Sequence, residues 1–210
     1  EKKMATIKGL QAELMANMYC QVMKKKGYAF FDRDKPYNLN IIGVRRVENA
    51  IPNKFDDTIV VIYRERVEGP WTVFTADITT DPGQYWLMHP INVEGTAILV
   101  PDQYRGVYKR DLHQGKYEAL CQRGGNVRVY RDADGDRRHD MSDDKIDTGF
   151  FGINIHKAGR ASVQVDKWSA GCQVFAKSAD FAEFMDLTEE AEKRYGNSFT
   201  YTLLLETDFI

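Results

Sequence analysis

One histidine and one cysteine stand sixteen positions apart in "GINIHKAGRASVQVDKWSAGCQVF", residues 152–175. A cysteine attacks a carbonyl as its thiolate, and a neighbouring imidazole is a common means of generating one near neutral pH. His156 and Cys172 therefore read as base and nucleophile for acyl transfer through a thioester. Ser169, Ala170 and Gly171 precede the cysteine, and such small residues let the backbone approach a ligand closely. The N–H groups of Gly171 and Cys172 are candidate oxyanion donors. "FFGINIH" alternates, which puts Phe151, Ile153 and Ile155 on one face of a predicted strand. Gly152, Asn154 and His156 fall on the other face, so His156 ends the strand on its polar side, facing away from the core.

The surrounding residues admit two readings each. Trp168 either walls a substrate groove or packs in the core, and Gln173 is the one polar side chain directly after the cysteine. Asp166 either orients His156 or is surface charge. Tyr85 and Trp86 are expected in a sheet, and His89 is expected to be structural. The four histidines, His89, His113, His139 and His156, include no pair at the short spacing of zinc sites, which argues against a metal hydrolase.

A second chemical feature is the acidic stretch "RDADGDRRHDMSDD", residues 131–144. Asp132, Asp134 and Asp136 alternate around Gly135, one way for a flexible loop to offer oxygens to calcium. An EF-hand would place glycine at Arg137 and glutamate at Asp143, so this is not that loop. The plain alternative is a solvated turn between two strands, its aspartates neutralised by Arg137 and Arg138.

The elements that must position these groups are mostly strands. "TIVVIYRE" (58–65), "WTVFTADI" (71–78), "TAILV" (96–100) and "NVRVY" (126–130) are rich in β-branched and aromatic residues. Short turns such as "RVEGP" connect them without helical patterns, so antiparallel sheets in a sandwich or open barrel are expected. Before them, Met4, Ile7, Leu10, Leu14, Met18 and Val22 recur at helical steps, widened by Met15 and Met23. The lysines 24–26 and Gly27 stop that helix. Residues 178–195 predict another helix, N-capped by Ser178, with Phe181, Phe184, Met185 and Ala191 buried. "FTYTLLLE" then predicts a closing strand. The reading is mainly β with flanking helices, in one domain: an N-terminal helical segment, 1–27, and a catalytic region, 28–210.

With 210 residues, 43 % hydrophobic and 29 % charged, the chain has an ordinary globular composition. A net charge of -2 gives no electrostatic case for nucleic acid, and no apolar run reaches membrane-spanning length. Three widely spaced cysteines, Cys20, Cys121 and Cys172, do not suggest a disulfide framework. Glu1 is an unusual native first residue, so the chain reads as a mature or trimmed product. No cofactor is expected.

The stretch around Cys172 resembles the signature of the L,D-transpeptidases, cysteine enzymes that cross-link peptidoglycan stems. That signature is a strand-borne histidine, a gap of this length, then Ser/Thr-His-Gly-Cys, matched here by His156, Ser169, Ala170, Gly171 and Cys172. "TTDPGQYWL" (79–87) is similar to the family's Thr-Pro-x-Gly-x-Phe/Tyr segment, which precedes a strand. The matches span roughly residues 58–176, and the resemblance implies a β-sandwich-like catalytic domain, residues 28–210, with His156 as base and Cys172 as nucleophile. It further implies that the Lys157 carbonyl orients the histidine, and that Gly171 and Cys172 line the oxyanion hole. The implied partner is a peptidoglycan stem peptide, whose thioester is resolved by an amine or by water. It implies a location outside the cytoplasm or an association with phage. Ala170 stands where the family has its second histidine, and "QVF" replaces the usual polar residues after the cysteine. In this the chain looks like a divergent branch of phage-associated and Bacteroides-type proteins. On the same fold, the alternative is a non-catalytic module that binds peptidoglycan or protein. Trp168, Gln173 and Asn154 are the candidate substrate contacts.

Overall fold

The computed structural model describes residues 6–210. Its strands are β1 (Asn40–Arg45), β2 (Asp57–Arg64), β3 (Trp71–Thr79), β4 (Thr96–Leu99), β5 (Gln103–His113), β6 (Tyr117–Gln122), β7 (Val127–Asp132), β8 (Ile146–Gly149), β9 (Ile155–Lys157), β10 (Gln173–Phe175) and β11 (Phe199–Leu205). The helices are α1 (Leu10–Lys25), α2 (Gln84–Met88) and α3 (Ser178–Tyr195). The fold is mainly β with flanking helices, as the sequence predicts. The sheet is not left open, however: β1-β11-β5-β6-β9-β10-β3-β2 closes into a barrel, and β4-β7-β8 forms a small second sheet. Closure comes from β1, which pairs parallel to the C-terminal β11 on one side and antiparallel to β2 on the other. It removes both exposed edges of the larger sheet.

The unbroken apolar run of β2 has a direct cause. Ile59, Val61 and Tyr63 belong to the inner core, while Val60 and Ile62 face a second core under α1. A strand covered on both faces loses the apolar-polar alternation. The helix itself is rolled relative to the predicted stripe. Ala12, Ala16, Tyr19, Val22 and Met23 are buried, whereas Leu10, Leu14 and Met18 are exposed. Two small alanines let the helix sit close on Ile42, Val60 and Val73. The roll is pinned by the Trp71 N–H, which donates to Glu13 Oε1 at 2.8 Å, and by the paired bonds between Ile7 and Val73. Met4 lies outside the described residues.

α3 covers the predicted span and buries Phe181, Phe184, Met185 and Ala191 in the inner core. Its N-cap is Lys177 rather than Ser178, and no side chain caps it. Phe175 of β10 stacks among Phe181 and Phe184, which fixes α3 against β9 and β10. The long β5–β6 hairpin has no counterpart in the strand pattern, because Lys109, Arg110 and Asp111 interrupt its apolar residues. Its turn carries a signal nonetheless. Gln114 and Gly115 both adopt positive φ, the conformation of the tight hairpin turns that favour glycine.

Candidate active site

β9 and β10 run parallel, with Val174 level with His156 and Gln173 level with Ile155. This pairing, not sequence proximity, brings the histidine and cysteine segments together. Cys172 sits just before β10, where its half-buried thiol lines a groove of about 590 Å³. Sγ lies 3.4 Å from the Asn154 N–H and 3.4 Å from the Gly152 carbonyl. Among the described residues these are its hydrogen-bond partners, and His156 is not one of them. Burial pushes the thiol up to about 11.

His156 is buried rather than turned outward, with the side chains of His113 from β5 and Tyr117 from β6 against its ring. Its Nδ1 lies 3.0 Å from the Lys157 carbonyl. A carbonyl only accepts, so Nδ1 carries the proton and Nε2 keeps its lone pair. That is the tautomer a general base needs. Tyr117 donates to the same carbonyl at 3.3 Å and holds it in place. Burial first, and the neighbouring His113 second, depress His156 to about 3, so it is neutral at physiological pH.

His113, at the end of β5, is the residue that sequence reasoning missed. Its ring stacks on His156 with centroids 4.0 Å apart and planes 16° apart. Its protonation follows from two hydrogen bonds. The Gln122 N–H donates to Asn154 Oδ1 at 2.9 Å, which orients the amide. Asn154 Nδ2 therefore points to His113 Nδ1, at 3.0 Å, and donates to it. His113 thus has the proton on Nε2, the opposite tautomer to His156. The Gln122 side chain adds order from below: Oε1 accepts from Phe151 and Ile153 N–H, and Nε2 donates to Gly125 and Gly149 carbonyls. Residues 150–154 consequently form no regular strand, and the predicted strand is confined to β9.

The loop before the cysteine is fixed by backbone approach. Ser169 Oγ donates to the Cys172 carbonyl at 2.7 Å and accepts the Gly171 N–H at 3.1 Å. Of the two expected oxyanion donors, the Gly171 N–H is thereby engaged, while the Cys172 N–H has no partner among the described residues. Gly171 itself has φ +125°, and a Cβ there would lie 2.6 Å from the Ala97 carbonyl of β4. The 79–87 segment packs on this loop: the Gly83 N–H donates to the Ser169 carbonyl at 2.9 Å, and Trp86 Nε1 to Lys167 O at 3.1 Å. Tyr85 and Trp86 form helix α2, not a strand, and Trp86 lines the groove. The segment's start is anchored by Arg45, which is buried and donates to Thr80 Oγ1, Thr80 O and Leu99 O while pairing with Asp81 at 2.8 Å.

Other candidates fall elsewhere. Trp168 is 47 % exposed and outside the groove. Gln173 is buried, accepting from Tyr201 Oη and donating to Thr80 and Gly171 carbonyls, because β10 turns its side chain inward. Asp166 accepts from Asn53 Nδ2 at 2.6 Å and does not approach His156. His89 stacks on Tyr85. In place of Trp168 and Gln173, Arg123, Arg131 and Phe151 line the groove beside Ala170. Arg131 is held by Asp147 and lies over the Phe151 ring.

In the acidic stretch, carboxylate oxygens of Asp132, Asp134 and Asp140 lie within 4.8 Å of one another. Asp136 is not in this group; its Oδ1 accepts the Arg138 N–H. Among the described residues Arg137 and Arg138 pair with none of these aspartates, so the expected neutralisation is not made.

Comparison with protein-family models, with curated proteins and with solved structures finds no match. No described helix is long and apolar enough to cross a membrane.

Proposed function

We propose that this chain is an L,D-transpeptidase-like cysteine acyltransferase or peptidase acting on peptidoglycan stem peptides. The reading rests chiefly on the tautomer of His156, which keeps its Nε2 lone pair on β9, the strand paired with the β10 that Cys172 immediately precedes. In the reaction, the Cys172 proton passes to His156 Nε2 as sulfur attacks an amide carbonyl of the stem. The Cys172 N–H meets the oxyanion. The C–N bond to the terminal amino acid breaks, and its nitrogen leaves with the proton from His156. An amine or water then attacks the thioester, giving a new amide or an acid and restoring the thiol. His113 Nε2–H offers a further donor, and Arg123 and Arg131 suit the carboxylates of a stem peptide. Sulfur must first leave Gly152 O, since catalytic contacts often tighten only when substrate binds.

The test is release of the terminal amino acid from purified stem peptides by the wild type, Cys172→Ala and His156→Ala. Turnover retained in either variant overturns the proposal. One observation favours a second reading, a binding module on the same fold: thiol and imidazole are both uncharged at rest and are not hydrogen-bonded. Stem-peptide binding without turnover, with Cys172 alkylated no faster than a free thiol, is its signature.

A further inference from the structure

The last residue of β7, where the turn to β8 begins, carries a carboxylate that the protein leaves partly unanswered. Asp132 is fully buried. Its Oδ2 accepts the Asp140 N–H at 2.9 Å, but Oδ1 is sealed from solvent with no hydrogen-bond partner. A buried carboxylate oxygen without a donor or cation is costly, and native proteins seldom tolerate one. The adjacent Arg131 does not serve it, being committed to Asp147 and the Gly95 carbonyl. Among the described residues no ion pair reaches Asp132, Asp134 or Asp140.

The missing partner has a definable chemistry. The three carboxylates converge with ligand oxygens no more than 4.8 Å apart. Carboxylate oxygens within that span can share one ion, and calcium accepts an irregular shell of carboxylates and carbonyls at about 2.4 Å, whereas magnesium demands a near-ideal octahedron and keeps most of its waters. All the donors are hard oxygens. The one nearby nitrogen ligand, His139 Nε2, is bonded to the Pro82 carbonyl at 3.0 Å. We infer that Asp132, Asp134 and Asp140 form a calcium site, with water and loop carbonyls completing the shell. Asp140, and not Asp136, is the third carboxylate. The ion answers the buried Asp132 and ties both ends of the loop together, where His139 already joins it to the segment that packs on the Cys172 loop.

Thermal melting of the full chain with calcium chloride, with magnesium chloride and with EDTA tests this. Calcium should raise the midpoint by about 5 °C or more over EDTA, as expected for a ligand well above its dissociation constant. Magnesium at the same concentration should not. Asp134 and Asp140 are exposed, so Asp140→Asn folds and should lose the calcium shift, while Asp136→Asn should keep it. Calorimetric titration of calcium into Asp132→Asn should show no binding. Equal midpoints in calcium and EDTA overturn the site. So does an equal response to magnesium, or a shift lost in Asp136→Asn and kept in Asp140→Asn.

Discussion

His113 lies face to face on His156, 4.0 Å between ring centroids, with the two imidazoles in opposite tautomers. One ring presents a lone pair and the other an N–H. The arrangement is set by backbone groups, through Gln122 N–H and the Lys157 carbonyl, so it does not depend on substrate. Ala170 puts no histidine beside Cys172, yet His113 from another strand reaches the same groove.

His113→Ala uncovers one face of His156. Its titration should move from about 3 toward the ordinary 6.5, since burial and the second ring are what depress it. Histidine resonances followed by NMR across pH check this. Turnover at neutral pH should fall about 10- to 100-fold if the donor acts on substrate. An unmoved His156 titration would show that the stack does not set its proton affinity.

Stability should depend on pH through the same residue. In the unfolded chain His156 takes a proton near 6.5, in the folded chain only near about 3. Between these values the unfolded state binds the extra proton, so stability is complete above 6.5 and falls as pH drops toward 3. The full effect is up to about 5 kcal/mol, at about 1.4 kcal/mol per pH unit over the interval between the two values. His113, also depressed by burial, acts in the same sense. Urea unfolding at pH 7 and pH 4.5 should show the loss in the wild type and a smaller one in His156→Gln.

Gly171→Ala combines two penalties, a positive φ and a Cβ 2.6 Å from the Ala97 carbonyl. It should cost about 1–3 kcal/mol in urea unfolding. Because the strain is relieved by moving the loop off β4, the iodoacetamide reaction rate of Cys172 should change with it. The wild-type rate in a destabilised variant would place the strain elsewhere.

Arg45→Met removes the cation paired with Asp81 and the donors to Thr80 Oγ1, Thr80 O and Leu99 O. Breaking such a buried pair should cost about 3–5 kcal/mol. Adding Asp81→Asn should recover part of the loss in the same unfolding assay. Arg45→Lys should not rescue, because three acceptors are served by three different guanidinium nitrogens and an ammonium offers only one.

Composition and residue pattern determined a good deal by themselves. Strong β runs at 58–65 and 71–78 became β2 and β3, and Phe181, Phe184, Met185 and Ala191 became the buried face of α3. These depend on local periodicity, which the chain carries in its order of residues. So does the Ser-Ala-Gly-Cys run, whose small side chains allow the close approach of Gly171 to β4. Tertiary structure decided the rest. The roll of α1 follows from contacts with Val73 and Trp71, far along the chain, so large apolar residues at 10, 14 and 18 could face outward. Trp168 and Gln173 neighbour Cys172 in sequence but not in the groove, because the turn before β10 and the pleat of β10 send them elsewhere. His113 and Tyr117 stand against His156 only because β6 pairs with β9 in the barrel. A strand pairing between segments more than thirty residues apart leaves no local trace, which is why the partners of the histidine were not legible beside it.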